Sequence, residues 1–295
     1  MLSLASIRYR NILAEHGGPV ASIETGQFSV CGRRMYQANA RLRDGLVPKQ
    51  RMTIYSDANG TGTHRLPAIA RHMAVSEAME RWAFHSTVRS ARAAEFGFDV
   101  DPSSNGMSAF PGLLPNQARR KAMLDAVERY CLAAWWDGMA DGHVLETDWP
   151  GVSAVAIEGP FGGVTAIAFA RTEWGGYAYG RAAEESIGAA CERAVVELAR
   201  HEWVLRAWRI EMASGEKGLP TNLFERRCLF FASEDGHDLF QHRLHSTAKT
   251  PMGRPDVVCD REIPGPWADY ATVWRFALRP PTDGFLKGGE RYFFW

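Results

Sequence analysis

Apolar positions along the chain follow two periods. From Leu66 to Arg89 the run LPAIARHMAVSEAMERWAFHSTVR sets Ile69, Met73, Met79, Trp82 and Ala83 near one face of a helix, with Pro67 suited to its first turn. Asn116 to Trp136 repeats the helical period through Met123, Leu124, Val127, Leu132 and Ala133, and Glu184 to Trp208 makes a third helix. Shorter alternating runs with β-branched residues, VASIETGQFSV within residues 17–31 and RMTIYS over 51–56, read as strands, and DANGTGT at 57–63 reads as a turn. VSAVAIEG from Val152 and GVTAIAFART from Gly163 flank a Gly/Pro turn at 159–163 and predict a hairpin. CLFFAS from Cys228 and YATVWRFAL from Tyr270 are further strand candidates, while DPSSNGMSAFPG, 211–222 and 246–266 read as polar loops. The pattern predicts an α+β fold, a mixed or antiparallel sheet packed with helices. No low-complexity segment or linker interrupts it, so a single domain over 1–295 is the expectation.

Composition narrows the function more than the fold. With 46% hydrophobic and 11% aromatic residues in 295, the chain can bury a substantial core and is expected to be a folded soluble protein. Lys plus Arg and Asp plus Glu are equal at 34 each, so no global field draws it to nucleic acid or to an anionic membrane. Cys31, Cys131, Cys191, Cys228 and Cys259 are odd in number, widely spread and form no CxxC pair, which argues against a disulfide framework and a thiolate zinc site. The sequence offers no signal peptide and no run of eighteen apolar residues, so a cytoplasmic location is expected.

The chemistry lies on the three predicted helices. EAMERW at Glu77–Trp82 returns as DAVERY at Asp125–Tyr130, pairing Glu77 with Glu80 and Asp125 with Glu128 three residues apart on a helix surface. On the third helix Arg193, Glu197 and Arg200 share a face in the same way. One such copy is most simply a solvated face; three copies flanked by apolar residues, with Trp82 and Tyr130 beside two of them, imply partly buried carboxylates that need partners. Carboxylates from three helices suit a hard cation such as Mg2+, and Arg81, Arg129, Arg193 and Arg200 suit phosphate. No Walker, kinase or dinucleotide-binding motif occurs, so a nucleotide site would have to be built differently. His85 and His201 lie on the acid-bearing helices and read as proton-transfer groups or as structural histidines; His242 and His245 read as surface residues. The terminal RYFFW reads as core. No catalytic nucleophile or triad can be assigned from spacing.

In order, the chain offers GTG at Gly60–Gly62, EAMER at Glu77–Arg81, SSNGMSA from Ser103, DAVER at Asp125–Arg129 and RAVVELAR at Arg193–Arg200. This series, over about residues 57–210, is similar to that of the YcaO family, and the combination of SSNG with ExxER is its specific part. The resemblance implies a YcaO-like fold whose ATP site is formed by helices against a sheet, with ATP and Mg2+ bound. In it Glu77, Glu80, Asp125, Glu128 and Glu197 would be metal ligands, and Ser104, Asn105, Arg193 and Arg200 would line phosphate or ribose. The implied activity is activation of peptide backbone amides, foremost azoline-forming cyclodehydration of Cys, Ser or Thr in a ribosomally made precursor peptide, as in thiazole and oxazole natural products. Thioamide or amidine formation, and a non-catalytic scaffold or peptide-binding subunit of a modification complex, are the alternatives. Implied partners are the precursor peptide, a flavin-dependent dehydrogenase, a second copy in a homodimer and a separate precursor-recognition protein, the chain being expected to be too short for a precursor-binding domain of its own. The chain departs from the pattern at Thr61, where Lys is common, at Met73, where Ser is common, at Tyr130 for Asp and at Arg200 for Gln. A generic α+β protein with solvated acidic faces is the reading from outside the family.

Overall fold

A computed structural model describes residues 4–49 and 52–293. Three antiparallel sheets carry the architecture. The first runs β1 (Val20–Val30), β2 (Arg33–Leu42), β3 (Gly60–His64); the second β4 (Asn105–Phe110), β10 (Thr272–Leu278), β9 (Val257–Glu262). The third is the meander β5 (His143–Glu146), β6 (Ser153–Glu158), β7 (Val164–Arg171), β8 (Tyr177–Glu184). Among the described residues the helices are α1 (Ala5–Arg8), α2 (Pro67–Thr87), α3 (Asn116–Trp136), α4 (Ile187–Ala213), α5 (Leu223–Phe231), α6 (Glu234–Leu244) and α7 (Gly284–Lys287). The fold is α+β with antiparallel sheets, as the apolar pattern predicts.

The chain divides into two compact units. The first takes in the N-terminal residues, Asp57–Ala126 and Val257–Leu278; the second takes in Met52–Ser56, Val127–Asp256 and the residues from Arg279 on. The division falls inside α3, so Asp125 belongs to the first unit and Glu128 to the second. In the first unit Val20, Ala38, Ala40, Ala74, Met79, Phe96, Trp267 and Ala277 belong to one buried cluster. In the second, Met52–Ser56 is held by Glu225 of α5. This fully buried carboxylate accepts from the N–H groups of Thr53 (2.8 Å), Ile54 (2.6 Å) and Tyr55 (3.2 Å) and from Asn222 Nδ2 (2.5 Å).

Several expected elements differ. CLFFAS lies in α5 rather than in a strand: Asn222 caps the helix by accepting from Glu225 N–H at 2.8 Å, and an apolar run this short carries no period that separates helix from strand. GTGTH forms β3 rather than a turn, SSNGMSA enters β4, and β9 lies inside the stretch read as a 246–266 loop. Of RMTIYS, Met52–Ser56 has no regular strand and Arg51 lies outside the described residues. β2 and α6 are additional; β2 is rich in Arg, Asn and Gln, which masks its alternation. The third helix begins at Ile187, because β8 continues through Glu184 and Ser186 accepts from Ala189 N–H as the cap. At the C-terminus Tyr292 and Phe293 are buried core without being a strand, while Phe294 and Trp295 lie outside the described residues.

Why strand and helix meet where they do is set by small residues. Gly60 on β3 lies against Ala74 O and Ala78 N of α2; Gly106 on β4 lies against Ala122 O and Ala126 N of α3; Gly180 on β8 lies against Ala194 O and Leu198 N of α4. A Cβ at any of the three would intrude on helix backbone, which cannot swing aside as a side chain can. Each helix offers a matching row of buried small residues at i and i+4, Ala70/Ala74/Ala78, Ala118/Ala122/Ala126 and Ala190/Ala194, which lets backbones approach closely. The β3–α2 and β8–α4 pairs are also numbered in step, every position of the second being 120 higher, from Gly60 and Gly180 to Glu77 and Glu197. Each follows an antiparallel neighbour with alanine opposite the glycine, Ala40 with Gly60 and Ala168 with Gly180.

Gly60→Ala, Gly106→Ala and Gly180→Ala should each lower stability by about 3 kcal/mol, the upper end of ordinary overpacking costs. Gly188→Ala on α4, where a Cβ meets nothing within 4 Å, should be neutral or stabilising. Urea unfolding followed by circular dichroism measures all four; equal effects at Gly180 and Gly188 would refute the close-packing account.

Candidate functional site

In the first unit the acid-bearing helices meet the strands that carry the loop motifs. Glu77 Oε2 on α2 accepts from the backbone N–H of Thr61 on β3 at 2.9 Å, and Arg81 NH2 stands 3.6 Å from Glu77 Oε1, one helical turn on. Asp125 Oδ2 on α3 accepts from the N–H of Met107 on β4 at 3.1 Å. Glu80 lies on α2 and is half-buried. Ser103, Ser104 and Asn105 lead into β4 behind Asp101, whose side chain accepts from Ser103 N–H at 2.8 Å and whose carbonyl accepts from Asn105 Nδ2 at 3.2 Å. Ser103 Oγ, Ser104 Oγ and Asn105 Oδ1 are buried without a hydrogen-bond partner among the described residues.

The second unit joins acids to arginines. Glu128 on α3 receives Arg181 Nε of β8 at 3.1 Å, both largely covered at 17% and 19% side-chain exposure. Glu197 is held by Arg200 one turn along α4, at 2.8 and 3.1 Å, and Arg193 is paired with Glu184 at the end of β8. Burial works against the charge on Arg193, but Glu184, Glu128 and Glu197 around it more than offset that and hold its pKa above the ordinary value. Around Arg193 the unit thus sets Glu128, Glu184 and Glu197, with Arg200 on Glu197 and Arg181 on Glu128; Arg181 and Glu184 are not among the residues singled out from the sequence. Both lie in YGRAAEE, where neither belongs to an ExxER pattern. Arg129 is half-buried on α3, and the neighbouring Tyr130 donates to Gly253 O at 3.2 Å.

Among the described residues no three His, Cys, Asp or Glu side chains are gathered as a metal site; Glu77 and Asp125 accept from backbone N–H groups, and Glu128 and Glu197 from guanidinium groups. The donors are nevertheless oxygen throughout, carboxylate, hydroxyl and amide, which is the set a hard cation selects over thiolate or imidazole. Guanidinium forks already laid against carboxylates have the geometry that phosphate oxygens accept. Cys131, Cys228 and Cys259 are buried, and burial pushes the Cys131 thiol up to about 12, so it is not a nucleophile at neutral pH. His242 and His245 are exposed on and just after α6. No helix among the described residues is long and apolar enough to cross a membrane.

No family model matches the chain, and no curated protein matches it in sequence. Among solved structures it is similar to the E. coli microcin synthetase McbBCD complex with pro-MccB17 bound, at 12% identity, and to the same complex without it, at 13%, with a TM-score of 0.44 in each case. The likeness covers 73% of this chain and 60% of the matched chain, so this chain spans less than two thirds of that length.

Both helix histidines are core residues. Burial and the nearby Arg81 and Arg89 lower the pKa of His85. His201 Nδ1 sits 3.2 Å from the N–H and 3.0 Å from the carbonyl of Tyr179 on β8, and burial lowers its pKa from 6.5 to about 4. A folded state that keeps His201 neutral loses stability as pH falls, because the unfolded chain takes up the proton first: the loss begins near 6.5, is complete near 4 and amounts to about 3 kcal/mol. His201→Gln should flatten the stability-against-pH curve in that window, measured by urea unfolding at stepped pH; an unchanged slope would show that His201 does not drive it.

Proposed function

We propose that the chain is an ATP- and Mg2+-dependent enzyme that activates peptide backbone amides, foremost by azoline-forming cyclodehydration of Cys, Ser or Thr in a ribosomally made precursor peptide. The observation that supports the reading is that the motif series GTG, EAMER, SSNG, DAVER and RAVVELAR sits on strand–helix pairs of one geometry, each with an acidic residue on the helix turn that crosses a strand glycine. The resemblance of that series to the YcaO family supplies the activity. Of the implied acidic set, Glu80 in the first unit and Glu128 and Glu197 in the second would hold Mg2+; Ser104, Asn105, Arg81, Arg129, Arg193 and Arg200 would face phosphate or ribose. When bound, ATP would supply the phosphoryl group that turns the amide oxygen into a leaving group. The chain's own task is then to orient the phosphates and exclude water. The buried Ser104 hydroxyl can donate to an acceptor oxygen, and Asn105 Oδ1 can accept from a hydroxyl or meet a cation. The precursor peptide and a recognition protein are the partners this reading implies; a flavin-dependent dehydrogenase would act only afterwards, oxidising a finished azoline.

A second reading has an observation of its own. Arg181 and Arg200 already neutralise Glu128 and Glu197, and Thr61 and Met73 replace the expected Lys and Ser, as in a relative that has given up catalysis and scaffolds a modification complex. Calorimetry with ATP and Mg2+ separates the two. Binding that falls about tenfold or more in Glu80→Gln and Glu128→Gln, with ADP released only when peptide is present, is expected of the enzyme. A peptide that loses one water has been cyclised; one that exchanges oxygen for sulfur has been thioamidated. Absence of nucleotide binding with peptide binding retained would leave the scaffold.

A further inference from the structure

We infer that Glu77 and Asp125, the first acid of each ExxER-type pair, are positioning residues that fix the strands carrying GTG and SSNG, rather than ligands of a cation. The functional half of this inference rests on the nucleotide-binding reading above; the structural half does not.

β3 ends the order β1-β2-β3 and β4 begins the order β4-β10-β9, so each has a strand neighbour on one side only. Alternate N–H groups of an edge strand point away from that neighbour and need another acceptor. Each of these edges is instead faced by a helix, and the two meetings are the same. Gly60 rests on Ala74 O and Ala78 N, and the next residue, Thr61, donates its N–H to Glu77 at 2.9 Å. Gly106 rests on Ala122 O and Ala126 N, and the next residue, Met107, donates its N–H to Asp125 at 3.1 Å. In both the acid stands three residues after the first alanine and just before the second, so one helical register brings alanine to the glycine and carboxylate to the outward N–H. Asp125 fills this role as Glu77 does, at a similar distance. β8 also ends its sheet, and its outward Tyr179 N–H is met by His201 from α4, so a helix side chain bonding an edge N–H occurs in all three places.

Charge and acceptor function separate in the amide variants. Glu77→Gln and Asp125→Asn keep a carbonyl oxygen that accepts from N–H but ligate a cation poorly; Glu77→Ala and Asp125→Ala remove the acceptor. Amide hydrogen exchange at Thr61 and Met107 is measured in each full-length variant, together with the Kd of Mg2+-ATP and with Glu80→Gln for comparison. Positioning predicts that the amide variants keep the protection and hold Kd within about threefold, while the alanine variants speed exchange at Thr61 or Met107 on the order of tenfold and weaken binding with it. Glu80→Gln should do the reverse, weakening binding with Thr61 still protected. Glu77→Gln abolishing binding while Thr61 stays protected would overturn the inference in favour of ligation. If the wild-type chain binds no nucleotide, the functional reading above fails by itself, and exchange still decides: alanine variants with unchanged protection overturn the positioning role. Should the alanine variants not fold, loss of Thr61 or Met107 protection in the folded Gln and Asn variants would overturn it as well.

Discussion

Backbone against backbone, with nothing larger than a hydrogen at the crossing, is the constraint on which the rest of this structure depends. Where Gly60, Gly106 and Gly180 rest on α2, α3 and α4, helix backbone lies so close to the strand that a Cβ on the strand would meet it. The polar positions follow from that contact. An acid one residue before the second small position of the helix is brought to the residue after the glycine, as Glu77 is to Thr61 and Asp125 to Met107. In this sense the ExxER-like spacing is a packing motif before it is a binding motif.

Charge is then balanced locally. The equal totals of acids and bases say nothing of where they lie, but the pairs show it: Glu128 with Arg181, Glu197 with Arg200, Glu184 with Arg193. Partly buried carboxylates are tolerable only on such terms, since desolvation without a partner costs more than folding leaves to spare. The exposed pair Arg81 and Glu77, at 3.6 Å and more than a third exposed each, contributes little by comparison; the Thr61 N–H is the stronger claim on that acid.

The three long helices and the α+β class were legible from apolar periodicity, because amphipathic helices of this length leave a signal that local context does not erase. β3 and α5 were not. GTGTH looks like a turn since glycine has no preference of its own; pairing with β2, a partner the sequence did not reveal, makes it a strand. CLFFAS is apolar enough for either state, and the Asn222 cap that decides it lies six residues upstream of Cys228. The acidic residues of the candidate site were found, but the reason for their spacing was not. Its signal is in the sequence: alanine, three residues, alanine, two residues, acid, then Ala or Leu, at Ala70–Ala78, Ala118–Ala126 and Ala190–Leu198. Arg181 and Glu184 had no such signal, being strand residues that become interesting only once β8 is known to face α3 and α4 side chains.

Two of these strand–helix pairs share a numbering offset of 120, and their differences are as telling as their likeness. At equivalent positions the first carries Thr61, Met73 and Glu80 where the second carries Arg181, Arg193 and Arg200. The backbone plan is kept and the glycine is kept, yet the first copy carries the acid pair Glu77 and Glu80 on its helix, while the second sets Arg200 on Glu197, Arg193 on Glu184 and Arg181 on Glu128. Since the glycine and the small helix residues alone fix how strand meets helix, the polar positions around them can differ in charge without disturbing the packing.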